Sequence, residues 1–283
     1  MPDARLLAGA AALFGVGAAG LGVPAPVPSR SAPLGAQDST SPDPDWPDLL
    51  HQWLGTAHGG LVKQASTAEF VGTGRIRLGR SPWLPVSYRT SHLLGREFSA
   101  EVSATWFGRP VVRGMDAYVD GHGVQRAHDS VTVGPGLDSD GVSFLWSEAV
   151  LVPATWSLSG VKWTQGSDTT LTLDVSGSDV AAPVTATLEC DPHTGLPKSF
   201  EVPWRSKNTE GTVGAGWRVS YLDWRQVGEE WAPGLVQVKW QDEDRPWFRM
   251  RMEPPVLNVD VAPALDVARE ALRSQLELAA TQV

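Results

Sequence analysis

Residues 97–108, EFSAEVSATWFG, alternate between polar and apolar side chains. A period of two is that of a β-strand with one face on an apolar core and the other face in water. The segment therefore predicts a strand of a sheet that is covered on one side. The apolar positions are Phe98, Ala100, Val102, Ala104 and Trp106, and the polar ones are Glu97, Ser99, Glu101, Ser103 and Thr105.

Similar runs follow along the chain, separated by short turns such as DGHG (120–123), DPHTG (191–195) and QVGEE (226–230). Strands that follow one another through short turns predict an antiparallel meander. The runs are PVVRGMDAYVDG, DTTLTLDVSG, APVTATLECD, LPKSFEVPWR, GWRVSYLDWRQVG, APGLVQVKWQD and WFRMRMEPPVLNVDV.

Helical patterns precede and follow these strands. In DWPDLLHQWLGTAHGG (45–60), Asp45 is suited to cap a short helix and Pro47 to its first turn. The apolar positions Leu50, Trp53, Leu54 and Ala57 lie on one face. At the other end, residues 263–283 predict a C-terminal helix. Its apolar stripe is Leu265, Ala268, Leu272, Leu276 and Ala279.

A third helix is predicted within the sheet region, where SFLWSEAVLVPATW (143–156) has helical rather than alternating spacing. Asp138, Ser139 and Asp140 provide capping side chains before it, and the helix should end before Pro153. The predicted fold class is therefore α+β and mostly β: a large antiparallel sheet with a central helical insertion and terminal helices. We assign residues 45–262 to this sheet domain.

The first residues of the chain have a different character. Residues 6–23, LLAGAAALFGVGAAGLGV, are uncharged and follow Arg5, a pattern typical of an export signal or a membrane anchor. Residues 24–44 are rich in Pro, Ser and Ala without apolar periodicity, which indicates a disordered linker. We expect an exported protein, periplasmic or in the cell envelope, whose only membrane contact is residues 1–23. The alternative is a flexible leader on a cytoplasmic protein.

Composition restricts the function classes. The net charge of -9 and the pI near 5.1 disfavour nucleic acid as a partner, because a polyanion is bound by clustered Lys and Arg. The single cysteine, Cys190, excludes an internal disulfide, and its place in an alternating strand suggests a small buried side chain. Thirteen tryptophans against three tyrosines suggest bulky side chains that fill or line a large interior.

An ordered series of short motifs resembles an uncharacterised bacterial family built on a domain of unknown function. The likeness covers about residues 60–255 and implies a curved half-barrel sheet around an apolar cavity, similar to the lipoprotein-carrier and lipoprotein-sorting fold. It implies no established reaction. The motifs are GTGRIRLG (72–79), WLP (83–85), GMDAYVDGHG (114–123), WSEAVLVP (146–153), VKW (161–163), TGLP (194–197), Tyr221, the segment 228–233 and Trp240.

Two carboxylates are candidates for chemistry. Glu148 interrupts the apolar central helix. Three roles are open to it: a structural hydrogen-bond acceptor, a ligand contact, or one of a hydrolase's two paired carboxylates together with Asp116. Asp116 shares a strand face with Tyr118 and Asp120, and His122 and His128 follow on the return strand, as metal ligands would. The simpler interpretation gives Asp120 to a hairpin and Asp116 to a backbone donor or an arginine such as Arg113. We predict no metal, no cofactor and no assembled catalytic set.

Three function classes remain. We favour an exported monomeric protein that binds a lipid or another apolar small molecule in a Trp-lined cavity without catalysis. The alternatives are an envelope scaffold or interaction module with a packed interior, and a hydrolase that uses Glu148 and Asp116. The candidate ligand-binding residues are Trp106, Asp116, Tyr118, Trp146, Glu148, Trp163, Tyr221 and Trp240.

Overall fold

A computed structural model describes residues 39–77, 82–107, 109–127, 130–158, 160–175 and 184–281, without the side chains of residues 106 and 109–112. The predicted leader 1–23 and most of the linker 24–44 lie outside this part. No helix within the described ranges is both long and apolar enough to cross a membrane.

Three α-helices and sixteen strands follow one another within the described residues. The helices are α1 Asp48–Ala57, α2 Pro135–Ala149 and α3 Ala262–Thr281, with a 3₁₀ turn at Pro153–Ser157. The strands are β1 Ser39–Thr40, β2 Val62–Lys63, β3 Thr67–Ile76, β4 Leu84–Leu93, β5 Glu97–Trp106, β6 Arg109–Val119, β7 His122–Ala127, β8 Ser130–Val133, β9 Val161–Ser167, β10 Thr170–Val175, β11 Val184–Cys190, β12 Pro197–Ser206, β13 Gly214–Val227, β14 Glu230–Trp240, β15 Phe248–Met252 and β16 Val256–Leu257.

Fourteen of these strands form one open antiparallel sheet, in the order β8-β7-β6-β5-β4-β3-β15-β14-β13-β12-β11-β10-β9, with β16 also paired to β3. The sheet consists of two meanders, β3 to β8 and β9 to β15, which meet along one seam between β3 and β15. The backbones approach closely at the seam: a Cβ on Gly74 would lie 2.0 Å from the carbonyl oxygen of Arg249. The predicted α+β, mostly β architecture, a curved half-barrel sheet with a central helix and helices at both ends, is confirmed.

The inner face of the sheet carries the main core. Phe98, Ala100, Val102 and Ala104 of β5 are all buried there, as the alternation predicts. The side chain of Trp106, the fifth member of the series, lies outside the described residues. The same core holds the buried face of α1, so the amphipathic spacing of residues 50–57 is confirmed as a docking surface.

The outer face of the sheet is partly covered by a helix. Helix α3 lies across it and forms a second, smaller core with Met115, Ala117, Val119 and Val124 of β6 and β7. From the predicted stripe of α3, Leu265, Ala268 and Leu272 are buried, whereas Leu276 and Ala279 are exposed. The expectation of one dry and one wet face is therefore wrong for β6, because its outer residues Met115, Ala117 and Val119 are apolar and buried as well.

Helix α2 connects the two meanders and packs against β6 and β7 of the first and β11 and β12 of the second. Glycines permit the close approach: a Cβ on Gly123 would lie 2.0 Å from the Leu137 carbonyl oxygen, and one on Gly141 would lie 2.9 Å from the Tyr118 ring. The helix therefore rests directly on the inner face of the sheet.

Both predicted N-terminal caps are wrong. Helix α1 has Pro47 in the cap position without a side-chain bond, so Asp45 does not cap it. Helix α2 already begins at Pro135, which places Asp138, Ser139 and Asp140 inside it. Asp138 instead accepts a hydrogen bond from the Gly123 backbone N–H at 2.7 Å, and Asp140 faces an arginine of β12.

Candidate functional site

Glu148 lies in the last turn of α2 and both of its carboxylate oxygens are engaged. The Tyr88 hydroxyl donates to Oε1 at 2.8 Å, and the His92 Nε2 lies 2.8 Å from Oε2. Tyr88, Thr90 and His92 are alternate residues of β4, and Thr90 Oγ1 is 3.0 Å from the same His92 nitrogen. Strand β4 thus supplies the partners that a buried carboxylate needs.

The His92 ring is held in one orientation by its surroundings. It stacks on Phe98 at 5.7 Å between ring centroids and meets Phe70 edge-on at 5.2 Å. Its Nδ1 is buried and has no hydrogen-bond partner among the described residues. The tautomer with hydrogen on Nε2 fits this environment, because it donates to Glu148 and leaves no N–H against apolar atoms.

A third side chain fixes the same end of α2. The Tyr221 hydroxyl of β13 donates to the carbonyl oxygen of Ser147. Burial, reinforced by the nearby Glu148 carboxylate, raises the pKa of both Tyr88 and Tyr221 well above the ordinary tyrosine value. Both phenols therefore stay protonated and serve as fixed donors that hold α2 to two strands.

An apolar cavity lies beside this anchor, between α2 and the sheet. It leaves about 40 Å³ in which the centre of a water molecule can lie, enough for a few waters. Most of the lining atoms are apolar, and strands β4 to β6 and β13 to β15 contribute them with α2 and Leu151. The lining includes Val102, Phe144, Trp217, Val238, Met250 and Met252.

A second, polar cavity of about 20 Å³ adjoins the first, because Asp116 and Phe144 line both. Its polar side chains are Asp116, Gln125, Asp140 and Arg205. Gln125 Nε2 donates to Asp116 Oδ1 at 2.9 Å, and Arg205 Nε lies 3.3 Å from Asp140 Oδ1. The interior thus contains an apolar cavity and, next to it, a cavity lined by charged side chains.

Arg205 is only 6% exposed, which is unusual for an arginine. Its guanidinium carbon lies 4.4 Å from the centroid of the Trp217 ring and 5.8 Å from that of Trp240, so aromatic faces surround the cation. The β12–β13 register shifts between Val202 and Arg205. This irregularity turns Arg205 inward and leaves Trp204 44% exposed, the reverse of what strict alternation from Val202 would give.

The two carboxyls of the polar cavity hold their protons unusually tightly. Burial raises the pKa of Asp116 to about 7, against the lowering effects of the Gln125 hydrogen bond and the Arg205 charge. Burial likewise raises the pKa of Asp140 to about 6, with Arg205 opposing the shift. Burial therefore favours the protonated form of both carboxyls, and the Arg205 charge opposes this effect.

Of the residues proposed from sequence, Asp116, Glu148 and Tyr221 line the apolar cavity together. Trp240 lies beside it, with its ring near the Arg205 and Lys207 cations. The other described candidates lie elsewhere. Tyr118 packs on α2 at Gly141, Trp146 is buried near Gly95, and Trp163 packs against Trp156 at 6.3 Å between centroids.

Several side chains of the site were not singled out from sequence, above all Tyr88, His92, Gln125 and Arg205. The run SYRTSHL (87–93) carried a usable signal, because Tyr88, Thr90 and His92 are two apart and therefore share one face. No sequence pattern indicated that Arg205 points inward, because its direction depends on the irregularity in β12.

The remaining sequence interpretations can be placed on the structure. No cluster of three or more His, Cys, Asp or Glu side chains within the described ranges is arranged to hold a metal ion, and His128 lies outside those ranges. Asp120 has a φ of 51° in the hairpin after β6, as expected of a turn residue. Cys190 is buried, and burial raises the pKa of its thiol to about 12, so it is an unreactive core side chain.

Comparison with known protein families identifies the family of this chain. Residues 40–250 match the family of unknown function DUF6544. The chain belongs to DUF6544. The sequence resemblance to a bacterial family of unknown function is thereby confirmed for this DUF6544 protein. No curated protein matches it in sequence.

Solved structures similar to the DUF6544 protein include a putative outer membrane lipoprotein-sorting protein domain from Vibrio parahaemolyticus, at 9% identity and a TM-score of 0.41 over 69% of this chain and 87% of that one. A LolA superfamily protein from Nitrosomonas europaea gives 8% identity and 0.41 over 74% and 92%. A DUF1329 family protein from Desulfovibrio piger gives 13% and 0.38 over 76% and 92%.

Proposed function

We propose that this DUF6544 protein binds a lipid or another apolar small molecule in the cavity beneath α2, without catalysing a reaction. The observation that carries the proposal is the cavity's lining, which is almost wholly apolar although the neighbouring cavity is charged. An apolar cavity tends to stay dry and is stabilised by an apolar occupant.

The volume in this state is smaller than a lipid chain, so binding requires the cavity to widen. Met250 and Met252 line its wall, and unbranched thioether side chains repack readily around occupants of different shape. Helix α2 is the other movable wall, held at its end by the polar contacts of Glu148 and Ser147. Displacing this end would open the space between helix and sheet.

The engagement of Glu148 supports binding over hydrolysis. Glu148 is buried and each of its oxygens has a close partner on β4, which suits a carboxylate that fixes α2 to the sheet. Asp116 lies in the same cavity and has a raised pKa, but a carboxylate pair with one member engaged in this way is poorly suited to paired acid–base work.

Export belongs to the same proposal. The uncharged run at residues 6–23 supports a chain that leaves the cytoplasm, by cleavage or with an amino-terminal anchor. We propose that the protein acts as a monomer on its ligand in the periplasm or cell envelope.

A second candidate is an envelope scaffold or interaction module whose interior is simply packed. The small residual volume of about 40 Å³ favours it. The two candidates differ in whether the interior takes up an apolar molecule.

The test uses the full chain purified without detergent, with native mass spectrometry and titration with an uncharged fluorescent apolar probe. We expect a copurifying apolar compound or saturable probe uptake. Val238→Phe, which adds bulk to the cavity wall, should weaken probe binding about tenfold or more. The matched control is Val213→Phe, at a side chain that is 57% exposed, which should bind like the wild type. An apo mass together with no probe uptake would favour the scaffold.

A further inference from the structure

The guanidinium of Arg205 has donors left over in the interior. Its Nη1 is buried and has no hydrogen-bond partner among the described residues, whereas its Nε faces Asp140 Oδ1 at 3.3 Å in the ion pair. The aromatic rings of Trp217 and Trp240 stabilise the cation through their faces and accept nothing from its edge. Buried polar atoms of this kind cost free energy unless a water or a ligand completes them.

The space in front of these atoms is small. The polar cavity has about 20 Å³ for the centre of a water molecule, room for one or two oxygen atoms with their hydrogens. Around it lie both donors, on Arg205 and Gln125, and acceptors, on Asp140 and Asp116. A hydroxyl both donates and accepts within such a volume, whereas a phosphate group is too large for it.

The charged side chains around the polar cavity also favour an uncharged ligand group. Arg205 and Asp140 form an ion pair with no net charge, and Asp116 carries its proton over much of the range below pH 7. A carboxylate ligand would add an unbalanced negative charge beside two aspartates, and an ammonium group would add a positive charge beside a buried arginine. Either addition is costly at low dielectric, while an uncharged group avoids both costs.

We propose that Asp116, Gln125, Asp140 and Arg205 form a subsite for one uncharged hydroxyl at the polar end of the apolar ligand. This inference rests on the proposed function, because the chain of such a ligand would occupy the apolar cavity that Asp116 and Phe144 share with the subsite. The ligand class is that of long-chain alcohols, whether free alcohols or acylglycerols.

The experiment is competition for the uncharged probe on the full chain, between pH 6 and pH 7. The competitors are an alkane, a primary alcohol, a carboxylate and an amine of equal chain length, and then a monoacylglycerol of similar chain. We expect the alcohol to bind about tenfold more tightly than the alkane, as one or two buried hydrogen bonds would provide, and more tightly than either charged compound. The monoacylglycerol tells a free alcohol from an acylglycerol as the preferred source.

A paired substitution tests the residues themselves. Arg205→Met with Asp140→Leu removes the ion pair as a unit, which avoids leaving one buried charge alone. We expect the alcohol's advantage over the alkane to fall to about twofold or less in this variant. The control replaces the surface ion pair with Arg218→Met and Glu189→Leu, whose side chains are 37% and 43% exposed, and should keep the advantage.

The outcomes separate the inference from the proposed function. If the alkane competes but the alcohol has no advantage, or the carboxylate or amine binds most tightly, the hydroxyl subsite is overturned and apolar binding stands. If the paired variant keeps the full preference, the subsite is not at Arg205. If the probe does not bind at all, both the proposed function and the subsite are overturned.

Discussion

At the scale of single residues, Glu148 shows what the sequence conceals. Its position in an apolar helix was plain, but its partners Tyr88 and His92 lie 60 and 56 positions earlier. Sequence spacing predicts that those two share a face of β4; it does not predict that this face meets the last turn of α2. The carboxylate could therefore be singled out, while its role required the tertiary structure.

The Glu148 cluster should behave as a unit. We expect Glu148→Leu to lower the free energy of unfolding by about 2–4 kcal/mol, because it removes the acceptor of the Tyr88 hydroxyl and leaves the His92 Nε2 only Thr90 Oγ1 as a partner. Tyr88→Phe should cost about 1 kcal/mol in the wild type and less in the Glu148→Leu background. Urea denaturation of the four proteins in this double-mutant cycle measures the coupling, and strictly additive losses would refute it.

The raised pKa of Asp116 predicts that the stability of the protein depends on pH. Its pKa rises from 3.8 to about 7 on folding. The folded protein therefore binds more protons than the unfolded chain between these values, and its stability falls as the pH rises from about 4 to about 7. The groups that face Asp116 are Gln125, Asp140 and Arg205.

Asp116→Asn removes this loss, because the amide has no charge to bury. We expect the variant to be more stable than the wild type by about 4 kcal/mol at pH 8 and about equally stable near pH 4. Urea denaturation at both pH values measures the difference. A gain of equal size at both would contradict the assignment.

At the scale of elements, the location of all three helices was predictable, because their apolar spacing differs clearly from strand alternation. Their first residues were not, since α1 has Pro47 and not Asp45 in its cap position, and tertiary contacts engage Asp138 and Asp140. Asp138, for instance, receives the Gly123 N–H instead of capping α2. The inward turn of Arg205 was missed for a similar reason: the irregularity in β12 has no clear signature in EVPWRS.

Helix α2 depends on the glycine of β7 beneath it. We expect Gly123→Ala to destabilise the protein by about 2–4 kcal/mol, because its Cβ would meet the Leu137 carbonyl oxygen at 2.0 Å and push α2 off the sheet. Gly55→Ala in α1 is the control. Its Cβ would meet nothing within 4 Å, so helix propensity should make it neutral or slightly stabilising. Thermal denaturation of both variants measures this, and similar losses would contradict the argument.

At the scale of the whole molecule, one sheet supports two cores. The larger lies under α1 and α2 and the smaller under α3. The alternation in β5 predicted the first. The smaller core was predicted only in part, because the apolar stripe of α3 indicated that the helix packs on the sheet but not on which strands.

Since β6 contributes Tyr118 to the larger core and Met115, Ala117 and Val119 to the smaller one, we expect the two cores to unfold together. Leu265→Ala in the smaller core should cost about 2–4 kcal/mol, and Leu276→Ala, 47% exposed on the same helix, about 0.5 kcal/mol or less. Tryptophan fluorescence reports on the larger core and far-ultraviolet circular dichroism on α3. In Leu265→Ala the two transitions should coincide, and an early loss of helix alone would show that α3 undocks independently.

The seam between β3 and β15 sets the order in which this architecture can assemble. Hairpins within each meander join neighbouring strands and close short loops, whereas the seam joins residues 72–76 to residues 248–252 across most of the chain. Closing so long a loop is slow, so the two meanders should form first and the seam last. Until then β3 and β15 are bare sheet edges, and the interval before they meet is when the nascent protein is most exposed to self-association.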